Sequence, residues 1–472
     1  MTERRDVLVL GAGLTGLAAA SLLGERATVL ERESRPGGLV RTERLGDYWF
    51  DHVVHLLYFQ DAETERCIRD LMGDLLAPCP PRAWVETTRG TARFPIQLHL
   101  NGLDSETCVA CLRDMAELTF RPPAAKPTNF EEMLELTFGK ALCDVFMFPY
   151  NRKMWKRPLN ELAPSGFTWN IARPDFEKVL RGAVSPTTRA PAYNSAGWYP
   201  RPEEGAPVRG MELMPIALAE KAADLRLQHT VTSVDLDDQS VTVRCGGGPE
   251  APTIQVGYNE AMLSSLPLPT LVRICEQAPP ELKERCERLT WNRVVSVALA
   301  IRGPRPEAPG HWRYYSDESM VFTRLIFMHE FDPMCAPPEG WSLLVEITQP
   351  AEEPMPDADT LIARVLADVA RVGFLPPGSE VVASKMWEVN PAYVVFSLQN
   401  QQIIEDAINF LEAYRVTSLG RYGSWEYSGM SSCLYDGFQW AAEFLRFNPP
   451  ALDVVVPREK DLVRDGETRE NA

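Results

Sequence analysis

Gly11, Gly13 and Gly16 stand in the run DVLVLGAGLTGLAAASLLGE, where backbone rather than side chain could do the chemistry. In a GxGxxG of this kind the first glycine permits a tight turn. The second lets the main chain approach a pyrophosphate, and the third lets a helix pack closely on a strand. The helix that follows offers unpaired N–H groups to phosphate oxygens. Glu31 ends the next apolar run, ATVLE. A carboxylate about 20 residues on accepts hydrogen bonds from ribose hydroxyls and disfavours a 2′-phosphate. A lone glycine triplet is a weak signal, and a glycine-rich turn without a ligand is the competing reading. Strand, helix and acid arriving together in about 30 residues favour a dinucleotide.

The elements that must position these residues read as follows. Asp6 to Leu10 is a buried strand, LAAASLLGE a helix and Ala27 to Glu31 a second strand. Proline clusters at Pro78 to Pro81 and Pro122 to Pro127 mark loops, with a largely helical pattern from there to about Leu180. Thr187 to Gly210 reads as an irregular loop and Met211 to Leu225 as a helix. Strands then dominate from about Glu260 to Trp387, including VVSVALAIRG, HWRYY, VFTRLIF and WSLLVEIT, with one helix near Ala358 to Val372. GFQWAAEFLRF is the last strongly periodic element, and the charged tail after Asn448 reads as a loose terminus.

The chain has 472 residues, 45% apolar and 24% charged, which suits a soluble protein of two or three domains. A net charge of -17 would repel nucleic acid, so an anionic substrate needs a local cluster of arginines. The longest apolar stretches, such as Val294 to Ile301, are strand-sized, so no membrane span is expected. The first ten residues run straight into a strand, so no signal peptide is expected and cytoplasmic residence is the default. Ten scattered cysteines suit a reducing compartment; Cys108 and Cys111 form a CxxC in a helical stretch and read as core thiols rather than metal ligands. No metal motif is present.

After Glu31 comes RESRPGGLVRTE. This E-(x)n-GG-x-x-R-T pattern resembles the family of FAD-containing amine oxidases, protoporphyrinogen oxidases and UDP-galactopyranose mutases. The resemblance implies FAD as cofactor, with Gly37, Gly38 and Arg41 along the pyrophosphate and flavin. Further stretches resemble the mutase branch. YWFDHVVHLLYF places His55 beside the flavin. RFPIQLHLNGL, from Arg93 to Leu103, resembles the entry to a helical domain. FPYNRKMWKRPLNEL matches at Tyr150, Asn151, Lys153, Trp155 and Pro158. VFTRLIFMHEF places Arg324 at the arginine that holds a substrate diphosphate. GRYGSWEYSGM matches a flavin-closing segment at Gly420, Arg421, Gly423, Tyr427 and Met430.

The implied fold is α/β: a Rossmann-like FAD-binding domain of the GR2 type with a helical insertion and an antiparallel sheet domain. The expected FAD-binding parts are 1–95, 191–258 and 386–450. The helical insertion is expected at 96–190, the sheet domain at 259–385 and a tail at 451–472. The implied FAD-binding set is Gly11, Gly13, Leu14, Thr15, Gly16, Glu31, Arg32, Gly37, Gly38, Leu39, Arg41, His55, Arg421, Gly429, Met430 and Ser431. The implied catalytic set is His55, Arg324, Tyr427 and Trp155.

The resemblance implies an isomerase acting on a nucleotide-diphosphate sugar, with N5 of the reduced flavin as the nucleophile. Such an enzyme must bind a diphosphate, exclude water and position groups more than it must move protons. Two other functions stay open: an oxidoreductase of the amine oxidase or desaturase kind, and a flavoprotein that binds without turnover. Each side chain also has a plainer reading. Arg324 clamps a diphosphate or pairs with a buried carboxylate. Trp155 and Tyr427 line a site or fill core, and His55 is a flavin neighbour or an ordinary half-buried histidine. Lys153 and Lys156 are expected to be solvated. Two departures from the mutases stand out: Val53 and Val54 stand where small residues precede the histidine, and Gly429 stands where an acid is frequent. Valine tolerates close approach and positive φ poorly.

Overall fold

The computed structural model describes residues 3–164, 174–186 and 196–448. Strand β1 (Glu3–Leu10), helix α1 (Leu14–Leu23) and strand β2 (Ala27–Leu30) form the expected unit, with β1 and β2 paired in parallel. They belong to a seven-stranded sheet. On one side of β1 runs Thr253–Ser264, parallel to it, followed by the antiparallel strands Ser240–Cys245 and His229–Asp235. On the other side lies β2 and then the short Leu225–Arg226, while Val416–Ser418 pairs with the far end of Thr253–Ser264. All residues of α1 but two are buried, because the sheet covers one side and the last helix, Met430–Phe447, the other. A Cβ on Gly437 of that helix would stand 2.2 Å from the Thr15 carbonyl, so the two helices touch through backbone.

The second seven-stranded sheet runs Glu380–Val394, Trp291–Arg302, Gly340–Pro350, Arg324–Phe327, Trp312–Tyr315, Ala83–Thr87 and Gly90–Arg93. Its pairings are antiparallel except that Trp312–Tyr315 runs parallel to Ala83–Thr87. Strand side chains alternate between faces. Val295, Val297, Leu299 and Ile301 point outward to a core closed by Leu361, Val365 and Val369 of the helix Ala358–Arg371. Val294, Ser296, Ala298 and Ala300 point inward. Helices Ser105–Phe120, Phe130–Phe138, Phe148–Trp155 and Phe176–Val184 pack around a third core that includes Phe130, Phe138, Phe146 and Trp155.

Several expectations differ from what is found. The helix expected over Met211 to Leu225 is confined to Leu213–Ala219, because the chain turns to lay Leu225–Arg226 beside β2. Helices Leu268–Ile274 and Pro280–Cys286 interrupt the region expected to be mostly strand, and Asn400–Glu412 is a helix with no counterpart in the sequence reading. The boundaries expected at 258/259 and 385/386 fall inside the strands Thr253–Ser264 and Glu380–Val394. Ala83–Thr87 and Gly90–Arg93, within the expected first FAD-binding part, belong to the second sheet. Of the loop expected from Thr187 to Gly210, residues 187–195 lie outside the described residues, as does the whole of the tail. Cys111 is buried and Cys108 half-buried on the helix Ser105–Phe120. Among the described residues no helix is long and apolar enough to cross a membrane. Among the same residues no group of three or more His, Cys, Asp or Glu is placed to hold a metal.

Candidate active site

At one end of the site the working groups are backbone. Gly11 has φ +98°, and its N–H donates to the Leu30 carbonyl at 2.9 Å. A Cβ on Gly16 would stand 2.0 Å from the Gly11 carbonyl oxygen, so only glycine lets α1 sit this close to the turn. Gly13 opens onto free space, and neither a capping side chain nor an acidic residue blocks the first turn of α1. Its N–H groups are therefore free to donate to a phosphate. Leu14 and Thr15 begin the helix and are buried. The Gly37–Gly38 turn lies over this glycine cradle: Gly37 N–H donates to the Ala12 carbonyl at 2.8 Å. Glu31 lies across the opening, accepting from Ala12 N–H at 2.7 Å and Glu33 N–H at 3.0 Å. Arg41 is nearly buried, 3.5 Å from Glu33, and its Nε has no hydrogen-bond partner among the described residues. Arg32 is exposed and pairs with Glu33 at 3.2 Å. An open helix N-terminus, a crossing acid and an orphaned buried guanidinium nitrogen fit the pyrophosphate and ribose of a dinucleotide.

The other end is built from side chains of distant segments. Leu39, beside the glycine turn, packs on the small cluster of Val294, Val389 and Ala392, as Val53 and Tyr393 do. His55 is 7% exposed, and its Nδ1 has no partner among the described residues. Burial first, then the charges of His52, Arg421 and Arg324, push its pKa down to about 3, so the imidazole is neutral. Neither Val53 nor Val54 takes positive φ, so the valine pair fits this segment without strain.

Arg324 points inward from its short strand and is paired with Glu346. Its Nε donates to Glu346 Oε2 at 2.7 Å and a second nitrogen lies 2.5 Å from the same oxygen. Of the two readings of Arg324, the carboxylate partner is present. The guanidinium also donates to the Tyr393 hydroxyl at 3.3 Å and lies 5.5 Å from the Tyr314 ring. Around it stand Tyr150, Tyr314, Tyr393 and Tyr427. Tyr150 and Tyr314 meet edge to face at 5.5 Å, and Tyr393 and Tyr427 lie 5.6 Å apart. Burial raises the phenols of Tyr150, Tyr314 and Tyr393 above the ordinary value, yet each keeps some accessible surface. Such groups, deep yet still partly accessible, form the wall of the candidate site.

Trp155 is 2% exposed. It packs edge-on against Tyr393 and Tyr427 and donates to the Asn151 side chain at 3.1 Å, so it braces the tyrosines instead of forming the wall. Arg421 has no carboxylate partner among the described residues. It donates to the carbonyls of Ala392, at 2.9 Å, and Ser428, and lies 4.7 Å from the Tyr427 ring. Gly429 and Met430 open the last helix. A Cβ on Gly429 would come within 3.2 Å of the Tyr58 hydroxyl, and Ser431 Oγ accepts from Gln60 N–H at 3.3 Å.

Lys153 is not solvated. It is 4% exposed, and its ammonium donates to the carbonyls of Tyr315, Asp317 and Phe322 at 3.0, 2.8 and 2.6 Å. It thereby ties the helix Phe148–Trp155 to the sheet. Lys156 is exposed. Sequence reasoning missed Glu346, Ser296 and Trp387, which shape the site. Glu346 did carry a signal, as the acid inside the apolar run WSLLVEIT. A separate surface groove near Glu86, Arg313 and Phe374 lies on the opposite face of the sheet, because Arg313 alternates with Tyr314.

Residues 14–408 match the family model of flavin containing amine oxidoreductases. A reduced UDP-galactopyranose mutase superposes with a TM-score of 0.84 at 20% identity, covering 94% of each chain. A putative protoporphyrinogen oxidase from Exiguobacterium sp. 255-15 gives 0.68 at 16% identity, over 94% of this chain and 99% of that one. A triple mutant of putrescine oxidase gives 0.60 at 16% identity, over 95% and 100%.

Proposed function

The chain belongs to the flavin-containing amine oxidoreductase family and its cofactor is FAD; from that premise we propose that it isomerises a nucleotide-diphosphate sugar, with Arg324 meeting the diphosphate. The cradle of Gly11, Gly13 and Gly16 with Glu31 and Arg41 would hold the pyrophosphate and ribose. His55, Arg421 and Met430 would stand at the flavin end. When bound and reduced, FAD would supply a nucleophilic nitrogen for the anomeric carbon as the nucleoside diphosphate leaves, and its return would regenerate the cofactor.

The observation that carries this reading is the wall around Arg324. It offers two fixed cations, Arg324 and Arg421, several phenols and an imidazole held neutral by burial. Such a wall is poor in groups ready to take a proton at neutral pH. It is rich in hydrogen-bond donors for phosphate and sugar oxygens. The Tyr393 hydroxyl accepts from the Arg324 guanidinium, the Tyr427 ring lies beside that of Tyr393, and Trp155 stiffens both. The residues therefore bind, orient and exclude water, which is what an isomerisation at a glycosyl centre asks of them.

One observation favours a redox enzyme instead. Glu346 already matches the charge of Arg324, which leaves less positive potential for a dianionic diphosphate. The two readings separate by titrating the FAD-loaded, reduced protein with UDP while following flavin fluorescence. Saturable binding is expected, weakened about tenfold or more in Arg324→Lys, whose point charge lacks the planar fork. A wild-type protein indifferent to UDP that releases peroxide from an amine in air would overturn the isomerase reading.

A further inference from the structure

Four residues directly opposite one another form a single rung across the second sheet: Arg324, Glu346, Ser296 and Trp387. Residues opposite each other in neighbouring strands point to the same face, and here that face is the inner one. Three of the four grip one short segment from far away in sequence. Glu346 Oε1 accepts from Val54 N–H at 2.9 Å. Ser296 Oγ and Trp387 Nε1 donate to the His52 carbonyl at 2.7 and 2.8 Å. The fourth is Arg324, bound to the other oxygen of Glu346.

We propose that Glu346 is a positioning residue that fixes His55 against the flavin and Arg324 against the cavity through one shared carboxylate, with Ser296 and Trp387 completing the grip. His55 has no anchor of its own at Nδ1, and the backbone from Val53 to His55 belongs to no strand or helix. Its position is set by neighbours, and the rung supplies three hydrogen bonds to them. Glu346 is 1% exposed, so its charge is held in place by Arg324 and the Val54 N–H. Losing the carboxylate frees both at once. The arm toward Arg324 rests on the nucleotide-sugar reading; the arm toward the flavin does not.

The test uses the FAD-loaded protein and reads the flavin. Reduction is followed against a reference dye, together with the visible spectrum, in wild type, Glu346→Ala and Glu346→Gln. Glu346→Ala is expected to change the oxidised-to-reduced flavin ratio at fixed dye potential by about five- to tenfold, the weight of one buried hydrogen bond. Glu346→Gln keeps an oxygen for Val54 N–H and is expected to shift the ratio less than Glu346→Ala does, the remaining shift reporting the unpaired charge of Arg324. Equal shifts in both variants would mean that only the lost charge matters, and no shift in either would mean that the grip is irrelevant; each result overturns the proposal. If Glu346→Ala does not fold, Ser296→Ala combined with Trp387→Phe frees the His52 carbonyl without altering charge. It is expected to shift the same ratio, and an unchanged ratio overturns the proposal. Failure of wild type to bind UDP sinks the substrate assignment and leaves this flavin comparison intact.

Discussion

The glycine cradle and the tyrosine-walled cavity are built on opposite principles. The cradle uses main-chain atoms of residues within about 30 positions, and its key side chains are absences: Gly11, Gly13 and Gly16. The cavity uses side chains from the 52–55 segment, the helix ending at Trp155, three strands of the second sheet and the segment at Arg421. A backbone site tolerates almost no added atom. A side-chain site depends on pairings, so its failures are graded and depend on charge.

The largest effect that would sharpen this contrast is expected at Gly16→Val. Its Cβ would overlap the Gly11 carbonyl, and the backbone has nowhere to go. A loss at or above about 3 kcal/mol is expected, read as protein recovered without yellow cofactor. A soluble variant with wild-type flavin content would break the contrast. Next comes Lys153→Met, which strands three carbonyls behind the cavity. A loss of about 2–4 kcal/mol is expected in urea unfolding, against less than about 0.5 kcal/mol for Lys156→Met on the surface.

The smallest of these losses is a pH dependence. The His55 pKa of about 3 lies below its ordinary 6.5. Between those values the unfolded chain binds more protons, so stability falls as pH falls through that window. For His55 alone the loss at pH 5 is about 2 kcal/mol relative to neutral pH. His311 and His329, also depressed by burial, to about 3 and about 4, steepen the decline. His55→Gln should lose its own share of the slope, measured as melting temperature at pH 5 and 7.5. An unchanged slope would place the imidazole in contact with water.

The cradle was readable because its signal is local: a strand, three spaced glycines, a helix and an acid follow one another in the chain. Arg324, Tyr427 and His55 were found only through resemblance to a family. Their spacing carries no periodic signal, and their meeting depends on sheet register. Lys153 was misread because a lysine in an exposed-looking helical stretch gives no hint of three carbonyls converging from Tyr315 and the loop between Trp312–Tyr315 and Arg324–Phe327. Glu346 was passed over because a single acid in an apolar strand does not announce its partner.

By itself the sequence determined the βαβ unit, the absence of Cβ atoms where a pyrophosphate must approach, and the alternating faces of the long strands. Those follow from sterics and period, which act between near neighbours. Only the tertiary structure decided that Arg324 is matched by Glu346, that Trp155 braces and does not face the cavity, and that one rung of a sheet holds the segment bearing His55. These are contacts between residues tens to hundreds of positions apart, and the free energy of a buried charge or hydrogen bond depends on which partner the fold brings to it.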